Sequence, residues 1–211
     1  MNGPNAENSR GPRGSADAWI DAAYGVLIAS GVEAVKVMTL AKALNLARSG
    51  FYWHFTDRDA LLAALLARWE GKNTGNLIAR TEAFAPTITE AVLNLFDCWI
   101  TPDLFDARLD FAVRTWARGA PEVEPLLARA DAARIAAIDA MFRRHGVAPA
   151  EADVRARTVY LTQVGYISMM TEEAPAARLA RMSAYAAVFA GRAASPEEIA
   201  RFMDRHAAPR A

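Results

Sequence analysis

Residues 37–62 read VMTLAKALNLARSGFYWHFTDRDALL: two short helical patterns joined by a tight turn, then a third helix with its own start signal. The spacing puts Leu40, Ala41 and Leu44 on one face of a helix opened by Thr39, whose hydroxyl suits an N-cap because it can accept from a free amide one turn on. Asn45 stands where the chain must reverse, and after glycine asparagine best tolerates the left-handed backbone that closes a helix. A second helix begins near Ala47. Along it Leu46, Phe51 and Phe55 turn inward, which sends Arg48, Ser49, Tyr52, Trp53 and His54 to the opposite side. Asp57 caps a further helix, whose Leu61, Leu62, Leu65, Leu66 and Trp69 recur at three- and four-residue steps. The whole is the sequence form of a helix-turn-helix.

Beyond residue 72 no strand alternation appears, and helices are interrupted at Pro86, Pro102, 119–121, 146–149, 174–175 and 191–196, giving about six. Ser195-Pro196-Glu197-Glu198 is a capping box with proline at the first helical position. With 211 residues, 53% of them hydrophobic, the chain can fill one small and one medium helical domain. Its 24 basic and 24 acidic residues cancel, so attraction to nucleic acid must come from a local patch. Residues 1–14 are rich in Asn, Gly and Pro and carry Arg10 and Arg13. A solvated, disordered tail is expected there, with a basic arm in the minor groove as the alternative.

His54, His145 and His206 are far apart. The sequence holds no paired-histidine metal spacing, no Gly-x-Ser-x-Gly elbow, no glycine-rich phosphate loop and no Cys-x-x-Cys. We therefore expect no enzyme activity, no metal and no cofactor. Cys98 lies amid Leu95, Phe96, Trp99 and Ile100, where a thiol is an inert core residue. A lone cysteine suits a reducing compartment, and there is neither an apolar signal core nor a stretch long enough to span a bilayer. A cytoplasmic protein with no membrane partner is expected.

The run from Met38 to Leu62 resembles the DNA-binding signature of the tetracycline-repressor (TetR) family. The similarity lies in Thr39 opening helix two, an Ala and Leu face, the Phe51-Tyr52-Trp53-His54-Phe55 core of helix three, and the Asp57-Arg58-Asp59 start of helix four. Gly31 to Val35 resembles the family's usual exit from helix one, and 109–117 with 131–134 resemble segments in the ligand domains of some members. Three positions depart from the pattern: Asn45 for the turn glycine, Ala47 for a Ser or Thr cap, and Ser49-Gly50 for a Gly-Ser pair in reverse order. A lost cap costs about 1 kcal/mol, which a packed domain absorbs. Moving Gly50 instead alters which side chain meets a base.

The resemblance implies an all-α fold: a tail at 1–14, an N-terminal three-helix helix-turn-helix DNA-binding domain at 15–60, and a larger C-terminal helical ligand-binding and dimerisation domain at 61–211. It implies a DNA-binding transcriptional regulator, most often a ligand-responsive repressor, bound as a homodimer to a palindromic double-stranded operator. The expected DNA-contact set is Thr39, Lys42, Arg48, Ser49, Gly50, Tyr52, Trp53, His54 and Arg58. Arg48 suits a guanine edge, which a guanidinium bonds at O6 and N7 together, and Ser49 and Trp53 suit neighbouring bases. Tyr52, His54 and Thr39 suit phosphates, as in similar proteins, with Lys42 and Arg58 nearby as positive charges.

An unknown small-molecule effector is expected in the larger domain, with Trp116, Tyr166 and Met169 as candidate contacts and plain core packing as the competing reading. Arg114 either pairs with Asp110 one turn earlier or meets an acidic ligand. Helices near 151–173 and 176–190 are expected to pair with their copies in a second subunit, using Gly165 and Ser168 and a ridge of Ala184, Ala187 and Ala190. Intrachain packing competes with that reading. The alternative function is a helical protein-interaction module that has lost DNA binding, kept open by the zero net charge and the Ser49-Gly50 departure.

Overall fold

The structure, a computed structural model, describes residues 14–171 and 173–206. The expected tail, with Arg10 and Arg13, lies outside the described residues but for Gly14. Among the described residues there are eleven α-helices and no strand, so the protein is all-α. They divide into two compact units, Met1–Arg68 and Trp69–Ala211.

The first unit holds α1 (Ala16–Ser30), a 3₁₀ turn (Val32–Ala34), α2 (Val37–Leu44), α3 (Arg48–Phe51) and α4 (Arg58–Trp69) up to Arg68. It thus takes in most of α4, which the sequence assigns from residue 61 on to the larger domain. Leu61, Leu62 and Leu65 are buried, as are Trp19, Ala23 and Leu27 of α1 and Leu40 and Phe51 of α2 and α3. Ser15 caps α1 by accepting from the Ala18 amide, and Asp57 caps α4 by accepting from the Ala60 amide at 2.8 Å. Asn45 has φ 52° and ψ 43°, the left-handed closure of α2 that its side chain tolerates.

Two local expectations need correcting. Thr39 does not cap α2: the helix begins at Val37, its N-cap is Lys36 with no side-chain cap bond, and Thr39 is an exposed residue of the first turn. Packing explains the earlier start. Val35 and Leu40, the residues before the cap and at the fourth helical position, are both fully buried at the spacing of a hydrophobic staple. Likewise the helix near Ala47 is short. Only Arg48–Phe51 is α-helical, and Tyr52, Trp53 and His54 follow in tight turns, with the Trp53 and His54 amides bonded three residues back to Gly50 and Phe51. Gly50, costing about 1 kcal/mol in a helix, and the missing cap at Ala47 leave a single turn with a 3₁₀ end.

The second unit runs from a π turn (Glu70–Gly75) through α5 (Asn76–Glu82), α6 (Ile88–Ile100), α7 (Ala107–Ala117), α8 (Glu124–Arg144), α9 (Pro149–Ser168), α10 (Pro175–Ala190) and α11 (Pro196–His206). Its core gathers Leu93, Phe96 and Cys98 of α6, Ile138 and Phe142 of α8, and Phe202 of α11 among others. Burial pushes the Cys98 thiol up to about 12, so it stays protonated and unreactive near neutrality. The capping box at α11 is formed in both directions: the Ser195 amide donates to Glu198 at 2.7 Å and the Glu198 amide to Ser195 Oγ at 3.2 Å.

Within this unit a carboxylate is fully buried. Asp110 accepts from Arg134 Nη1 at 3.0 Å, Arg114 Nε at 2.8 Å and Trp69 Nε1 at 2.9 Å. Arg114 also forks onto both oxygens of Asp131, whose Oδ1 accepts from Tyr160 Oη at 2.6 Å. Arg134 is fully buried, and its Nε donates to Thr74 Oγ1 of the π turn. The choice for Arg114 is thereby decided for the structural pair. Burial alone would raise the Asp110 pKa, but the charges of Arg134 and Arg114 and the Trp69 bond outweigh it and hold the carboxyl below its usual value.

A carboxylate whose folded pKa is depressed stabilises the fold above its unfolded pKa and ceases to do so as pH falls through the folded value. Asp110→Asn is expected to cost about 3–5 kcal/mol, because it takes the close counter-charge from fully buried Arg134 and leaves Arg114 with Asp131 alone. It should also remove part of the loss of stability seen on acidification below the ordinary Asp range. Urea unfolding of wild type and variant across that range checks both; equal midpoints would show that the network contributes nothing.

Candidate functional site

In the first unit the outward face is set by Phe51. Its ring meets Trp19 edge-on with centroids 5.4 Å apart, and its full burial turns Arg48, Tyr52, Trp53 and His54 to the exposed side. Arg48 and Tyr52, one turn apart, act together: Arg48 Nη2 donates to Tyr52 Oη at 2.9 Å, and its guanidinium carbon lies 5.7 Å from the Tyr52 ring centre. His54 Nε2 lies 3.1 Å from the Gly14 carbonyl, so in that contact this nitrogen carries the proton. Gly14 is itself constrained, with φ +68° and a Cβ position 2.7 Å from Leu46 Cδ1, so a side chain there would collide.

Charge on this face comes from few groups. Lys36, Lys42 and Arg48 are exposed and have no carboxylate partner among the described residues. Asp17 and Asp21, by contrast, are both taken up by Arg68. Neutrality of the whole chain and a locally positive face therefore coexist. Ser49 and Thr39 are exposed beside these cations, whereas Gly50 is buried. Arg58 is engaged elsewhere: its Nε donates to the Val35 carbonyl at 2.6 Å and Nη2 to the Val32 carbonyl at 2.7 Å, tying α4 to the 3₁₀ turn. The sequence missed Met38. It is 65% exposed and lines a shallow hollow with Thr39, Ala41, Lys42, Leu46 and Arg48. Its signal was available only once α2 is started at Val37, which puts Met38 on the outward side.

The second unit contains a cavity walled by Phe96 and Trp99 of α6, Gln163 and Tyr166 of α9, and Arg178 and Tyr185 of α10. Tyr166 and Tyr185 share a 2.6 Å hydroxyl contact, which raises the Tyr166 pKa. Of the three residues proposed from sequence, Tyr166 alone lines this cavity. Trp116 is packed within α7, and Met169, at the end of α9, is 78% exposed. Arg178, Tyr185 and Gln163 were missed because polar groups on alanine-rich helices carry no periodic signal of a cavity.

The geometry defines a class, a helix-turn-helix unit followed by a helical unit with an internal cavity. Residues 20–65 match the sequence model of the bacterial regulatory proteins of the tetR family. Comparison with curated protein sequences gives no match. Among solved structures, the fatty acid degradation regulator FadR from Bacillus halodurans is similar at 15% identity and a TM-score of 0.64, covering 87% of this chain and 97% of its own. A transcriptional regulator from Rhodococcus sp. Rha1 is similar at 17% identity and a TM-score of 0.58, covering 93% of this chain and 100% of its own. Residues 20–65 thus carry the likeness to the tetR-family regulatory proteins, and the chain as a whole shares its fold with these solved structures. Among the described residues, no helix is long and apolar enough to cross a membrane.

The Arg58 brace gives a test of its own. Arg58→Ala removes two charge-assisted hydrogen bonds to carbonyls, each worth about 1.5–3 kcal/mol where burial is complete and less at this half-buried site. Hydrogen exchange should quicken in α1 and α2 and stay unchanged in α6 and α8. Unchanged exchange in both would mean that Arg58 braces nothing.

Proposed function

We infer that the chain is a ligand-responsive transcriptional regulator that binds a palindromic operator as a homodimer. The observation that carries the DNA reading is the exposed cluster of Arg48, Tyr52, Trp53 and His54 around buried Phe51, with exposed Lys42 lining the same hollow as Arg48. Arg48 and Ser49 read base edges, and Trp53 and Met38 pack against sugars or thymine methyls. Thr39, Lys42, Tyr52 and His54 hold phosphates, which fixes register without reading sequence. Arg58 supports the unit from within, and Gly50 packs beneath the face.

Dimerisation is supported by the outer faces of α9 and α10. Val154 and Leu161 are 61% and 57% exposed, lie on one stripe with Thr158 and Gly165, and Val188 is 73% exposed on α10 beside exposed Ala184. Stripes of this kind on two adjacent helices suit a twofold copy of themselves. Ala190 belongs to the core instead, so the ridge is carried by Ala184 and Val188. A twofold dimer places its reading helices on half-sites about 34 Å apart or a multiple of that. The cavity of the second unit is the effector site, and a coupling of about 1–3 kcal/mol there changes operator affinity about fivefold to over a hundredfold.

Selection of bound sites from random duplex DNA should return one palindrome. If no sequence is enriched, the interaction-module reading replaces this one. On the selected site, Arg48→Ala should lose about 1–3 kcal/mol of discrimination at one base pair, whereas Lys42→Ala should weaken all sequences alike and lower the salt slope by about one. An equal loss for Arg48→Ala on specific and random duplexes would remove its base-reading role. Leu161→Glu should give a monomer in sedimentation and lose operator binding; a persistent dimer would place the interface elsewhere.

A further inference from the structure

We propose that the cavity between α6, α9 and α10 binds a monoanionic amphiphile, a carboxylate on an apolar body, with Arg178 as the charge partner. The inference rests on reading the second unit as an effector domain and names the chemistry of its ligand.

Three observations converge. First, Arg178 is a half-buried arginine of this unit without a carboxylate partner among the described residues. Its Nη2 donates to the neutral Gln163 Oε1 at 3.2 Å, and its guanidinium carbon lies 5.6 Å from the Tyr166 ring centre. Arg80, Arg114, Arg134 and Arg155, the other arginines of the unit that are at least half-buried among the described residues, each have an acidic partner. The nearby Glu173 is taken by Arg181. Taking a cation partly out of water without a counter-charge is costly, so the site is incomplete as it stands.

Second, Trp99, another wall residue, has a buried indole N–H with no acceptor among the described residues. Indole N–H groups are donors only, so what would complete it is an acceptor oxygen. Third, the remaining wall is apolar and aromatic. Phe96 meets Trp99 and Phe189 at centroid distances of 5.6 and 6.0 Å, and Phe189 stacks on Tyr185 at 5.7 Å. An anion with little apolar surface would waste that wall, and a neutral hydrocarbon would leave Arg178 and Trp99 unsatisfied. A carboxylate on an apolar body satisfies both.

Access has a definite element. The cavity measures about 30 Å³, room for about one water. A larger ligand must therefore displace wall side chains, and parting the Tyr166–Tyr185 hydroxyl pair would free hydroxyls that can donate to the incoming carboxylate.

The test uses the full chain and no DNA. Calorimetric titration compares two matched pairs, decanoate with decanol and 1-naphthoate with 1-naphthamide, which separate a linear from an aromatic body while holding the charge contrast fixed. At least one acid should bind about tenfold or more tightly than its neutral partner, as expected of a charge-assisted contact. Arg178→Met should erase that preference and leave the neutral compound's affinity within about twofold; Arg178→Lys should restore part of it. Equal affinities within both pairs, binding by none of the four, or a preference that survives Arg178→Met would each overturn the proposal. The comparison on the unaltered protein decides even if Arg178→Met misfolds. Because DNA is absent, acid binding without any change in operator affinity would leave the site standing and remove its effector role, while operator binding without acid binding would do the reverse.

Discussion

Phe51 can be buried against Trp19 only if the backbone around it turns Arg48, Tyr52, Trp53 and His54 the other way. The magnitudes favour this constraint over local helix preferences. Lys36 and Ala47 are both N-caps without a side-chain cap bond, at about 1 kcal/mol each. Truncating a buried phenylalanine costs about 3–5 kcal/mol. The segment 48–55 therefore accepts a four-residue helix and a 3₁₀ end rather than give up the packing, and the exposed face follows from what the interior demands.

Asp110 plays a comparable part within the larger unit. A buried carboxylate is tolerable there because two guanidinium groups, an indole N–H and the Asn73 amide surround it, and because Asp131, Tyr160 and Thr74 bond the ends of the same arginines. Such a network adds little net stability over an apolar core of equal volume, yet it is severe against partial loss. Its effect is positional: the π turn, α7, α8 and α9 can meet in one register, in which every carboxylate of the network finds its cation. The contrast with Arg178 is what makes the cavity noteworthy: both arginines of the network face carboxylates, although Arg134 Nη2 has no acceptor among the described residues, whereas Arg178 has no carboxylate among them.

The helix-turn-helix, the all-α class and the breaks between the later helices were legible in the sequence. Each rests on local chemistry: leucine and phenylalanine spacing, Asn45 at a left-handed position, Asp57 as a cap, Ser195 to Glu198 as a capping box. The start of α2 was not legible from Thr39, because a competing long-range burial of Val35 and Leu40 moved it. Arg58 carries the same lesson. Its sequence neighbourhood suggests a phosphate contact, but the carbonyls of Val32 and Val35 lie more than twenty residues away along the chain and are brought to it only by folding.

The sequence by itself determined which faces are apolar and therefore which side chains of residues 48–54 point outward, since periodicity is a property of the local backbone. Only the tertiary structure decided what those side chains, and the ones deeper in the chain, are next to. Tyr166 meets Tyr185, and among the described residues Trp99 has no acceptor and Arg178 no counter-charge, where α6 comes against the consecutive helices α9 and α10. Charge compensation and cavity shape depend on distances between elements, and no repeat along a single chain encodes those distances.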